Sequence, residues 1–70
     1  MKQAIPYVAP EHLYFFKMTA RSAKVGDILK TRWGLREVLA VSSEEGDVWM
    51  KFRDERWVTG EYATIEVLVV

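Results

Sequence analysis

This chain of 70 residues predicts a mainly β fold: a small five-stranded antiparallel barrel carrying an N-terminal extension. Three observations predict it. From Val25 onward the apolar residues recur closer to every second position than to every third or fourth, which is the period of a strand. Polar or glycine-bearing turns interrupt that pattern at Gly34, Ser42–Asp47, Arg53–Arg56 and Gly60–Ala63. The length allows one domain with a marginal core, and the chain has no cysteine to staple it. Its nine aromatic residues are then the means of packing that core, with self-association as the other route to stability.

Residues 1–24 read as an extension packed on a barrel of residues 25–70. Pro6 and Pro10 make residues 1–10 an extended segment. Residues 11–20 carry two signals. Pro10-Glu11 opens a helix, with Leu13, Phe16 and Ala20 on one face. Tyr14-Phe15-Phe16 favours a strand, and no glycine cap follows. The balance leans to a strand over Leu13–Thr19, with Arg21–Lys24 as loop.

In the first barrel strand, Val25, Asp27, Leu29, Thr31 and Trp33 point one way, and Ile28, Lys30 and Arg32 the other. Gly34 permits a turn. Arg36–Ser42 is the next strand. Val38 and Val41 both face inward there, and their spacing of three requires a bulge that bends the strand. Ser42–Asp47 is a hairpin turn with Gly46 at positive φ. Asp47–Arg53 alternates most cleanly, with Val48, Met50 and Phe52 inward and Trp49, Lys51 and Arg53 outward. Arg53–Arg56 is a charged turn and Arg56–Thr59 a brief strand. Gly60–Ala63 suits one tight helical turn. Ile65–Val70 closes the chain as an apolar strand whose end must be tucked away or paired with another subunit.

The net charge is zero, unevenly spread. Residues 1–36 hold seven cations against two carboxylates, and residues 37–70 hold three against eight. Barrel strands interleave, so a mixed surface is expected, with a basic face as the alternative. No apolar run is long enough to cross a bilayer. Nor does Met1-Lys2-Gln3-Ala4 lead into a signal peptide before Pro6. A soluble cytoplasmic protein without a membrane partner is expected.

Nothing in the chain has the pattern of a catalytic or metal site. There is no thiol, no Gly-rich phosphate loop and no nucleophile elbow. His12, the single histidine, has no second ligand in sequence. Glu44, Glu45 and Asp47 read as solvated turn carboxylates. No enzyme activity, cofactor, metal or small-molecule substrate is expected.

The candidate contact residues are aromatics beside cations. Trp49, Lys51 and Arg53 are forced outward if Val48, Met50 and Phe52 form core. An exposed indole stacks on a base while the cations meet phosphate. Alternatively, Trp49 covers the open end of the barrel or packs under the N-terminal segment. Lys30, Arg32, Trp33 and Arg36 surround the first turn, where the aromatic either binds a ligand or plugs the barrel mouth. Trp57 with Arg56 follows the same logic from the other edge. Tyr62 is expected to anchor the tight turn with its ring buried.

Five phrases of residues 25–68 resemble the SH3-like barrel superfamily, in particular its Tudor-like and KOW-like members. They are Val25-Gly26-Asp27, Trp33-Gly34, Val38–Val41, Val48–Phe52 and Tyr62–Leu68. Similar strings occur in the small domains that end some bacterial DNA helicases and in domains that touch RNA polymerase. The resemblance implies a binding module rather than a catalyst, with nucleic acid or a protein of the nucleic-acid machinery as partner. A protein-interaction module that forms a homo-oligomer, through the N-terminal segment or the Ile65–Val70 edge, is the alternative.

Overall fold

The structure, a computed structural model, describes residues 13–69. The expectations for residues 1–12, including the Pro10-Glu11 helix start and His12, lie outside the described residues, as does Val70. Seven strands follow in chain order: β1 (Phe15–Thr19), β2 (Ile28–Thr31), β3 (Gly34–Glu37), β4 (Ala40–Glu44), β5 (Asp47–Lys51), β6 (Arg56–Gly60) and β7 (Thr64–Leu68). A single 3₁₀ turn, Ala20–Ser22, joins β1 to the rest.

The strands form two antiparallel sheets, ordered β1-β7-β2-β3 and β4-β5-β6. This corrects the closed five-stranded barrel. The N-terminal extension contributes a strand of its own, since β1 pairs β7 from Phe15↔Leu68 to Thr19↔Thr64. The strand expected over Arg36–Ser42 is two strands. Val38 exchanges backbone hydrogen bonds with the β2 side, donating to Asp27 O (2.8 Å) and accepting from Gly26 N–H (2.9 Å). Leu39 N–H already donates across to Lys51 O (2.8 Å). The chain therefore changes sheets between these two residues, where the sequence called for a bend. Val38 is fully buried at the corner while Leu39 points out.

The core lies between the sheets. Leu29, Ile65 and Val67 come from one side and Val48, Met50 and Phe52 from the other, with Val38 at the corner and Ala20 and Ala23 from the connection. The alternation expected along Asp47–Arg53 holds: Val48, Met50 and Phe52 are at most 1% exposed. Burying side chains of this size stabilises by about 1.5–3 kcal/mol each, which a core this small needs.

Turn chemistry accounts for three boundary corrections. Val25-Gly26 is a turn, with Gly26 at φ 98, so β2 starts at Ile28 and Val25 is exposed. The hairpin turn is only Glu45-Gly46, both at positive φ, which lets β4 run on to Glu44. Gly60–Ala63 is a β-turn closed by Ala63 N–H to Gly60 O (3.1 Å), not a helical turn.

Candidate functional site

Two surfaces collect the chemistry-bearing residues. The first is a groove of about 520 Å³ between the β2–β3 turn and the β5–β6 connection. Lys30, Thr31, Arg32 and Trp33 make one wall. Glu55, Arg56 and Trp57 make the other, with the buried Phe52 between them.

The first wall is set by its turn. Thr31 pairs with Gly34, leaving Arg32 and Trp33 at the tip, and the positive φ falls on Gly34 (105°). That is the pattern of a turn closed by a glycine bulge. The Thr31 hydroxyl donates to Gly34 O (2.7 Å) and accepts from Trp33 N–H (3.2 Å). Trp33 is thereby held at the tip with 64% of its surface exposed, and the Arg32 guanidinium lies 5.3 Å over its ring. Both are fixed without being covered.

The second wall follows from the β5–β6 register. Met50 pairs with Trp57, and Phe52 N–H donates to Glu55 O (2.8 Å) in the connecting loop. The parity of Trp57 aims it to the core side. At the end of the sheet its ring instead leans on Phe52, with centroids 6.2 Å apart, and stays 38% exposed. Strand alternation marks Phe52 as core and carries no sign that it also floors a groove. Glu55 reads in sequence only as part of a charged turn, whereas Arg56 is expected beside Trp57.

Lys30 lines this groove, but its ammonium is directed elsewhere. It lies 4.0 Å from Glu66 Oε1 and 5.4 Å over the Phe15 ring, on the outer side of the larger sheet. Arg32 and Arg56 are the groove's effective cations, against the single carboxylate of Glu55.

The second surface is the outer face of β4-β5-β6, with a shallow depression of about 410 Å³ beside Trp49 and Lys51. Trp49 is 42% exposed and lies opposite Val58. Arg56 borders both surfaces. Of the expected contact residues, then, Lys30, Arg32, Trp33 and Trp57 come together, and Trp49 and Lys51 form a second group. Arg36 turns back along its own strand, where its guanidinium donates to Leu35 O (3.0 Å). Arg53 is exposed in the loop and lines neither surface. Tyr62 is the clearest correction: its ring is 67% exposed and carries Arg21 at 5.5 Å.

Among the described residues, no three His, Cys, Asp or Glu side chains are grouped as a metal ion requires. Among the same residues, no helix is long and apolar enough to cross a membrane. No family model, curated protein or solved structure matches this chain.

Proposed function

We propose that this protein is a cytoplasmic, non-enzymatic binding module of the SH3-like type that takes single-stranded nucleic acid in the groove between Trp33 and Trp57. The fold assignment is supported by the sheet order and by the change of sheet at Val38–Leu39, which passes the chain from β3 of one sheet directly into β4 of the other. One observation carries the function: two partly exposed indoles share one groove with two guanidinium groups that have no hydrogen bond or ion pair among the described residues. Indole faces accept bases of any sequence, and the guanidinium groups meet the phosphates between them. Bases must be unstacked to reach the rings, so a single strand is favoured over a duplex.

Fluorescence anisotropy of labelled single-stranded DNA, RNA and duplex DNA, at low and then moderate salt, tests the proposal. Binding of the single strands that weakens with salt is expected. Trp33→Ala and Trp57→Ala should each remove about 1–3 kcal/mol of binding, the worth of one stacked base. No binding of any of the three at low salt refutes the reading.

The second reading is a protein-interaction module that self-associates. Strand β1 favours it, since among the described residues it is an edge strand, with Tyr14 and Phe16 exposed. A mass above that of the monomer, with no salt-sensitive nucleic-acid binding, would select it.

A further inference from the structure

The outer face of β4-β5-β6 has an internal order that the groove does not explain. Register places Glu44 opposite Asp47 at one end and Lys51 opposite Arg56 at the other. Both pairs are like-charged. Cross-strand neighbours stand about 5 Å apart at Cβ, and like charges directly opposite destabilise a sheet. None of the four side chains has a hydrogen bond or ion pair among the described residues. Between the two rows lie Trp49 and Val58, 42% and 43% exposed. Small residues, Ala40 and Ser42, leave a hollow beside Trp49.

We propose that this face is the contact between two copies of the chain, packed sheet on sheet about a two-fold axis. The charge order is self-complementary. Asp47 and Lys51 each lie two residues from Trp49, about 7 Å to either side at the rise of a strand. A two-fold axis running across the strands at Trp49 therefore lays Lys51 of each copy over Asp47 of the other, with Arg56 and Glu44 one strand to either side of that pair, over Gly60 and Ala40, as an isologous contact allows. One member of each repulsive pair, Asp47 and Lys51, thereby gains an opposite charge directly across the contact, twice by symmetry. The hollow over Ala40 and Ser42 gives the two indoles room to lie offset between sheets about 10 Å apart.

A nucleic-acid strand fits this face poorly, because its phosphates would meet the Glu44–Asp47 row. The face spans only about 14 by 17 Å from strand spacing and rise, which is small for a protein interface. The dimer is therefore weak, with a dissociation constant in the micromolar range or above, and weaker in salt.

Sedimentation equilibrium of the full chain, from micromolar to millimolar concentration at low salt, tests it. The mass should rise from 8.1 kDa toward twice that value. Lys51→Glu and Asp47→Lys should each weaken association by about tenfold or more, by setting like charge against like across the axis. The double variant should restore it, because swapping the two ends recreates the complement. Trp49→Thr should weaken it also. Where circular dichroism finds Asp47→Lys unfolded, Asp47→Asn takes its place and should weaken association less than Lys51→Glu does. A monomer at every concentration overturns the proposal. So does association indifferent to the single reversals, not rescued in the double, or lost instead on Phe16→Lys at the β1 edge.

Discussion

The two-residue turn between β4 and β5 offers the sharpest test of how this sequence holds its fold. Glu45 (φ 51°) and Gly46 (φ 86°) both have positive φ, and they link the directly paired Glu44 and Asp47. A type I′ turn requires this, and Asn-Gly is its preferred sequence. An L-residue other than Gly or Asn held there costs about 1–2 kcal/mol. A Cβ at Gly46 would meet nothing within 4 Å, so any penalty for Gly46→Ala is conformational rather than steric. Gly46→Ala should lose about 1–2 kcal/mol, and Glu45→Asn should gain about 1 kcal/mol by relieving Glu45. At about 4–8 °C per kcal/mol for a domain of this size, the first lowers the melting temperature by about 4–16 °C and the second raises it by about 4–8 °C. Thermal unfolding followed by circular dichroism measures both. Glu45→Gln is the control, because it removes the charge beside Glu44 and Asp47 but keeps the strained backbone. The reasoning fails if Gly46→Ala melts with the parent, or if Glu45→Gln reproduces the whole gain of Glu45→Asn.

Phe52 and Trp33 should separate stability from binding. Phe52→Ala empties the floor shared by core and groove and should cost about 3–5 kcal/mol, most of the stability of so small a domain, as chemical denaturation will read directly. Trp33→Ala removes an exposed ring and should leave stability within about 0.5 kcal/mol while weakening nucleic-acid binding. Thr31→Val deletes both hydroxyl bonds at the turn. It should cost about 1 kcal/mol and weaken binding further than its distance from the ligand explains, with Thr31→Ser restoring part of both. The Lys30–Glu66 pair is exposed at both ends. Glu66→Gln should therefore change stability by less than about 1 kcal/mol in denaturation at low salt, and by less again when salt is raised.

Residue period alone determined that this chain is mainly β, that Val48, Met50 and Phe52 would be core, and that Trp49, Lys51 and Arg53 would face out. Alternation is local, and a strand with one buried face has no other register available. The spacing of Val38 and Val41 likewise required a bend, and glycine at position 46 required a turn. The tertiary structure decided where the bend becomes a change of sheet, because that depends on which backbone groups find partners. Val38 takes its hydrogen bonds from the Gly26–Asp27 segment and Leu39 from Lys51. It also sorted the contact residues. Trp33 and Trp57 share a groove, Arg36 and Arg53 stay outside it, and Lys30 is drawn toward Glu66. Such groupings belong to loops distant in sequence, and the packing of one sheet against the other, which no local period encodes, sets which loops face each other.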